Sequence, residues 1–495
     1  MPKIAKERTE ENQRRIEAAA LELFTRQGFH GTNNREIAQK VGVSTGTIYT
    51  YFPGKEAIFA SLARQYRSHM EEALRQYARN LKDPPLSREG IGKLAAAIRS
   101  AMYRDQESFL MILSDVIEFR NRHFLEVFHD VPRQLRLALG PLLDAAKKQP
   151  GWRGEDPAFV LASAYVYFFT YFLMERHMQG EQHLGLPDDQ ATDRFIDLLL
   201  HGLRRPAKAA PLQNSQPKNR EYFARQQVLH QADRDRIDYL RFLSGRLWNL
   251  PPDAPPRDGN GDRPPKRPIL FLPEIPKEQI DPNQLRIEEA ALELFTKQGF
   301  HGTNIRDIAK KAGVSQGAIY TYYSGKEAIF AGLVRSYRHS MRKFLERVFA
   351  TLPDPFSHRG LRFFAMAMRS MVYDDAEYWL LMYIDVIEFR NRHFLRAFHD
   401  VPEQFRRLLA PAIDKVKKEP GWRGQDPALA MAMIYFYFHT YFVIERLMHG
   451  SRHLGVSDGE AVERFIDILL HGLVQPSPSE TRTRRAGPAA RQTHY

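Results

Sequence analysis

Twice in this chain a serine stands between two glycines at the spacing a hydrolytic nucleophile uses: Gly42-Val43-Ser44-Thr45-Gly46 and Gly313-Val314-Ser315-Gln316-Gly317. Such a serine attacks a carbonyl only from a sharp strand-to-helix turn, where backbone N–H groups receive the oxyanion. Here a helix precedes it, because Ile37, Ala38 and Val41 recur at three and four, and no parallel sheet is implied. Ser44 and Ser315 are therefore expected as helix N-caps, accepting an orphan N–H of the next first turn. No phosphate loop of the form G-x-x-x-x-G-K-[ST] occurs, so nucleotide hydrolysis has no support. The absence of cysteine excludes a thiolate nucleophile, a thiolate metal site and a disulfide framework. Glu118, Arg120, Arg122 and His123 form a charged cluster, repeated at Glu388, Arg390, Arg392 and His393. Interhelical salt bridges are the expected use, with an anionic effector site as the functional alternative. His129-Asp130 and His399-Asp400 lack a third ligand at suitable spacing, so neither a metal nor a cofactor is expected.

The same stretches carry a different chemistry. In NNREIAQKVGVSTGTIYTYF at 33–52, Asn33 can cap a helix and Glu36 completes a capping-box pair. Ile37 and Val41 face inward, and Gly42 permits the left-handed turn that stops the helix. The next helix buries Ile48 and Phe52 and exposes Thr45, Gly46, Thr47, Tyr49 and Tyr51. A short helix, a glycine turn and a second helix is the arrangement that seats a helix in the DNA major groove. Small side chains let the backbone approach base edges, and hydroxyls bond bases or phosphates. Lys55 and Lys326 open the following helices and are expected to point a cation at phosphate. The second copy repeats the frame with Asn304, Asp307, Ile308, Ala309, Gly313, Ser315, Ile319 and Tyr323, its capping pair being the weaker.

The elements that must position these residues come as a whole-protomer repeat. ALELFTRQGFHGTN at 20–33 returns as ALELFTKQGFHGTN at 291–304, an offset of 271 from Gly28 to Gly299. DVIEFRNRHFL at 115–125 returns unchanged at 385–395, offset by 270 from Asp115 to Asp385, so one residue drops out of a surface turn between them. Apolar residues recur at helical spacing (Ile16, Ala20, Leu23, Phe24; Ile287, Ala291, Leu294, Phe295), and no alternating strand pattern appears. The fold expected is all-α, two protomers in tandem packed as an internal pseudo-dimer. Its domains are a head at 1–55, a larger helical domain at 56–203, a linker at 204–280, a second head at 281–326, a second helical domain at 327–474 and a disordered tail at 475–495. The linker has helical spacing around Arg220–Leu250, then a Pro-rich run at 251–268. That run is extended, and at about 3.1 Å per residue it reaches roughly 55 Å. Fusion makes association intramolecular, at an effective concentration the linker sets.

GFHGTNNREIAQKVGVSTGTIYTYFPGKEAIFASL resembles the DNA-binding head of the tetracycline-repressor (TetR) family of transcriptional regulators, with Gly-Val-Ser-x-Gly-x-Ile-Tyr-x-Tyr-Phe and Gly-Lys-Glu in order. The resemblance implies homodimer-like binding to a pseudo-palindromic operator, released when a small molecule enters the larger domain. It implies Thr32, Thr45, Gly46, Thr47, Tyr49, Tyr51 and Lys55 as DNA-facing residues, with Thr303, Gln316, Gly317, Ala318, Tyr320, Tyr322 and Lys326 in the second copy. Two departures stand out. The family carries one head per chain, and Asn34 occupies a usually apolar position that Ile305 fills normally.

Thr45 against Gln316, and Thr47 against Ala318, make the heads unequal. Gln can bond adenine bidentately and Ala can touch a thymine methyl, so the two half-sites are expected to differ. AFVLASAYVYFFTYFLM at 158–174 and ALAMAMIYFYFHTYFVI at 428–444 are nearly all apolar. Their tyrosines and His439 make poor bilayer-facing sequence, so they are expected as buried helices rather than membrane spans. With the helices near 188–203 and 458–473 they would form the bundle joining the copies; interface and ligand pocket are not separable by sequence. The net charge of +13 favours an anionic partner. With no signal-peptide core behind Met1, the expectation is a cytoplasmic regulator, not an enzyme. The alternative is a helical ligand-sensing or interaction protein that has lost operator binding.

Overall fold

Helices begin where the sequence places caps and stop where it places glycine. The computed structural model describes residues 3–104, 106–125, 129, 131–148, 152–177, 183–202, 281–352, 354–394, 401–419, 421–448 and 453–472. The expected linker helix, the Pro-rich run and the tail lie outside them, as do Asp130, His399 and Asp400. The regular elements among the described residues are helices. The first copy runs α1 (Lys3–Gly31), α2 (Asn34–Val41), α3 (Thr45–Tyr51), α4 (Lys55–Asn80), α5 (Arg88–Arg104), α6 (Gln106–Phe119), α7 (Val131–Ala146), α8 (Pro157–His177) and α9 (Asp188–His201). The second runs α10 (Pro282–Gln298), α11 (Ile305–Ala312), α12 (Gln316–Tyr322), α13 (Lys326–Thr351), α14 (His358–Asp374), α15 (Ala376–Phe389), α16 (Val401–Leu408), α17 (Ala410–Lys418), α18 (Pro427–Leu447) and α19 (Asp458–His471).

Each head packs three helices on the start of a long fourth. Ile16, Ala20 and Phe24 of α1 meet Ile37 and Ala38 of α2, Ile48 of α3 and Phe59 of α4, all buried. Full burial of a side chain such as Phe24 or Ile48 contributes about 1.5–3 kcal/mol. Leu23 and Leu294 are only partly covered.

The apolar helices α8 and α18 are covered on all sides. Within its own copy α8 packs on α5 and α7, and it also packs on α18 of the other copy. Both are long and apolar enough to cross a membrane, yet 89% and 94% of their apolar windows are buried inside the protein, which leaves no lipid-facing stripe. Likewise α9 packs on α19, and α6 on α15. Backbone bonds cross between copies, from Val131 N–H to the His453 carbonyl (2.8 Å) and from Val401 N–H to the His183 carbonyl (3.0 Å). The sequence GWRG occurs at 151–154 and again at 421–424, and its arginines bridge the copies. Arg153 donates to the Gly472 carbonyl (2.9 Å) and Arg423 to the His201 carbonyl (3.1 Å). Where α9 and α19 end, Gly202 (φ 65°) and Gly472 (φ 73°) lie back to back; a Cβ on either would come within 2.4 Å of the other copy's backbone. Only glycine fits that approach.

Candidate nucleic-acid interface

The turn between α2 and α3 forms as its residues dictate. Asn33 Oδ1 accepts from Glu36 N–H (3.0 Å), and the Glu36 carboxylate accepts from Asn33 N–H (3.3 Å), a complete capping box. In the second copy Asn304 accepts from Asp307 N–H, without the return bond to its own backbone. Gly42 and Gly313 take the left-handed conformation at φ 77° and 67°. Ser44 and Ser315 each accept from the N–H three residues on, at 3.1 Å. Their hydroxyls are thus cap acceptors between two helices. Ile48 and Ile319 anchor α3 and α12 to the core.

The predicted contact residues fall into two groups. Tyr49 and Tyr320 stand out, 55% and 57% exposed, large aromatic surfaces with no internal packing role. Gly46, Gln316 and Gly317 are exposed, and Thr45, Thr47, Ala318, Tyr51 and Tyr322 half-buried. The hydroxyl of Tyr51 accepts from Asn12 Nδ2 (2.9 Å), while that of Tyr322 donates to Asp281. Tyr51 therefore ties its helix to the body of α1, and Tyr322 ties its helix to the start of α10. Thr32 and Thr303 are buried, donating to the Gly28 (2.9 Å) and Gly299 (2.8 Å) carbonyls.

Lys55 and Lys326 depart from the expected free cation. Lys55 Nζ donates to the Phe29 (2.7 Å) and Thr32 (2.8 Å) carbonyls and lies 4.2 Å from the Phe29 ring centroid. Lys326 does the same with Phe300 and Thr303, at 2.6 Å each, 4.1 Å from the Phe300 ring. Burial pulls both ammonium groups below the usual lysine range, against the opposing pull of Glu56 and Glu118 on Lys55 and of Glu388 on Lys326. Each lysine closes the turn ahead of its own reading unit.

Sequence reasoning missed other exposed groups on the same side. Thr50 and Thr321 lie one turn along the reading helices, and Arg35, Gln39, Arg306 and Lys310 are exposed on α2 and α11. Helical spacing of four links Thr50 to Gly46, Thr321 to Gly317, Gln39 to Arg35 and Lys310 to Arg306.

The head is coupled to the larger domain by aromatic stacking. Phe119, ending α6, packs on Phe29 (4.7 Å between centroids) and Phe59 (4.8 Å); Phe389 repeats this with Phe300 (4.5 Å) and Phe330 (4.9 Å). The charged cluster following it does not converge on one site. His123 Nδ1 lies 2.6 Å from the buried Asp115, whose other oxygen accepts from the His123 and Phe124 N–H groups. Glu118 turns toward the head, Arg122 covers the Phe119 ring, and Arg392 pairs with Glu327. In the second copy a cavity of about 1060 Å³ opens between α13, α15, α16 and α18. Tyr337, Trp379, Phe405 and Tyr435 form its buried wall, with Arg338, Arg342 and Arg407 exposed at its mouth. Trp379 Nε1 is buried without a hydrogen-bond partner. Tyr435 thus serves the cavity, while its neighbour Phe436 crosses to His183 of the other copy (4.6 Å). The ring of His439 lies 4.3 Å from that of Trp379, and burial lowers its pKa to about 3.

Comparison with known proteins matches the helix-turn-helix regions twice. Residues 16–62 and 287–333 fit the bacterial regulatory proteins of the tetR family. The chain is 26% identical over 156 residues to the uncharacterised HTH-type transcriptional regulator YfiR of Bacillus subtilis, covering 30% of this chain and 74% of that one. It is 37% identical over 70 residues to the fatty acid metabolism regulator protein of Bacillus subtilis, covering 14% and 34%. Over 50 residues it is 46% identical to the HTH-type transcriptional regulator RutR of Escherichia coli K12, covering 10% and 24%. The latter two matches thus span about a third and a quarter of those relatives.

Proposed function

We propose, since this chain belongs to the tetR family of DNA-binding transcriptional regulators and carries the family's head twice, that one polypeptide supplies both reading units for a single operator. It acts as a ligand-responsive repressor, an internal pseudo-dimer on an imperfect palindrome whose half-sites lie about one helical turn apart. The observation that carries this reading is the pair of outward tyrosines, Tyr49 and Tyr320, on reading helices of two copies that pack together through α8 and α18. Thr45, Gly46, Thr47, Tyr49 and Tyr51 face one half-site; Gln316, Gly317, Ala318, Tyr320 and Tyr322 face the other. Thr32, Lys55, Thr303 and Lys326 hold the turns that present them. The cavity against Trp379 supports an effector with an apolar or aromatic body and an acceptor group, its anionic end toward Arg342 and Arg407.

Selection of genomic fragments bound by the purified chain tests the reading. The expected product is a family of fragments sharing two inverted, unequal half-sites, held with an affinity that falls steeply as salt rises. Retention of no fragment at low salt overturns it.

A further inference from the structure

The two heads touch each other at their Gly-Phe-His-Gly turns. A Cβ on Gly31 would lie 2.9 Å from the His301 Cβ, and one on Gly302 would lie 2.9 Å from the His30 Cβ. Two carboxylates enter this seam from the ends of α6 and α15. Glu388 fills the space that side chains at 28 and 299 would need: its Oε1 lies 3.2 Å and 2.7 Å from the Cβ positions those glycines lack, and Glu118 Oε1 lies 3.6 Å from the second of them. The side chains of Glu118 and Glu388 are each 4% exposed. Their surroundings differ. Glu388 accepts from the Phe300 N–H (2.9 Å) and the His301 N–H (2.7 Å). Glu118 Oε2 lies 2.8 Å from His30 Nε2. The other titratable groups facing the pair are His301, 3.8 Å from Glu388, and the inward ammonium groups of Lys55 and Lys326.

We propose that Glu118 and Glu388 are positioning residues of this seam and that the buried Glu388 carboxyl takes up a proton there, so that the register of the two reading helices, and with it operator affinity, depends on pH near neutrality. The proposal rests on the operator-binding reading above. A carboxyl buried beside another negative charge ionises less freely than one in water. Burial raises the Glu388 carboxyl to about 7, with the Glu118 charge adding to the rise; the two backbone N–H groups and Lys326 oppose it. The sign follows from linkage. A carboxyl raised in the closed seam gives a closing contribution that is whole below the ordinary glutamate range and is lost as pH climbs to about 7. His301 works oppositely: burial and Lys326 lower its pKa, so its contribution weakens as pH falls below the ordinary imidazole range. The seam is thus tightest in mildly acid solution and loosens toward pH 8. A closed seam preorganises both heads, and preorganisation raises affinity.

The test uses the full chain and a duplex selected from a randomised pool, at fixed salt. Affinity is measured from pH 6 to pH 8 for the unaltered chain and for Glu388→Gln, which fixes the neutral form. The unaltered chain should lose up to about tenfold more affinity over that range than Glu388→Gln, because with a midpoint of about 7 most of the change, about a factor of ten per pH unit, falls on the acid side of that midpoint. Glu118→Gln, which removes the neighbouring charge, should move the midpoint toward acid; it serves as the test if Glu388→Gln fails to fold. Parallel profiles for all three proteins overturn the proposal and leave the regulator reading standing. Failure to hold any duplex at any pH overturns that reading, and the proposal with it.

Discussion

Asn34 shows what one unpaired atom costs. Its Oδ1 is buried without a partner at the start of α2, where Ile305 packs normally in the second head. Asn34→Ile should stabilise the first head by roughly 1 kcal/mol, and Ile305→Asn should cost the second about as much. Thermal melting of the DNA-free chain checks both. Lys55→Ala strips the donor from two turn carbonyls and should cost about 1–3 kcal/mol. The same change should weaken binding at every DNA sequence, and Lys326→Ala should match it. An unshifted melting curve would contradict the inward placement. At this scale the caps and the inward isoleucines were legible, because each follows from its own spacing. The inward turn of Lys55 was not: a long flexible chain at a helix start reaches solvent or a neighbouring carbonyl, and only the packed position of the Phe29–Thr32 turn decides. The burial of Thr32 depends on that same turn.

Elements carry the difference between the heads. The first turn of α3 offers Thr45 and Thr47, and that of α12 offers Gln316 and Ala318. Replacing both Gln316 and Ala318 by threonine should turn an unequal pair of selected half-sites into a symmetric one, with total affinity changing less than preference. A symmetric consensus from the unaltered chain would remove the basis for this. The end of α9 makes a second prediction. Gly202→Ala places a methyl against the backbone at Gly472 with φ at 65°, and should cost about 2–4 kcal/mol in melting. Helix class and order could be read from periodicity, and so could the burial of α8 and α18, since a helix apolar all round must be covered all round. Which aromatic residue lines a cavity and which meets the other copy could not, because both lie on one uniformly apolar helix. Tyr435 and Phe436 are neighbours with opposite duties.

For the whole molecule, the identical repeats find their reason at the contacts between copies. Asn121, in the unchanged DVIEFRNRHFL run, donates to the Met448 carbonyl of the other copy, and Arg153 and Arg423 of the twin GWRG motifs exchange carbonyls across the same junction. Repetition in the sequence announced two protomers. It did not announce the seam: spacing suggests interhelical salt bridges for Glu118 and Glu388, and the glycines that admit them are distant in sequence. Native mass spectrometry of the chain with a duplex bearing both selected half-sites should give one chain per duplex, and a duplex with a single half-site should bind far more weakly. Two chains on the two-site duplex, each engaging one head, would contradict one-chain binding.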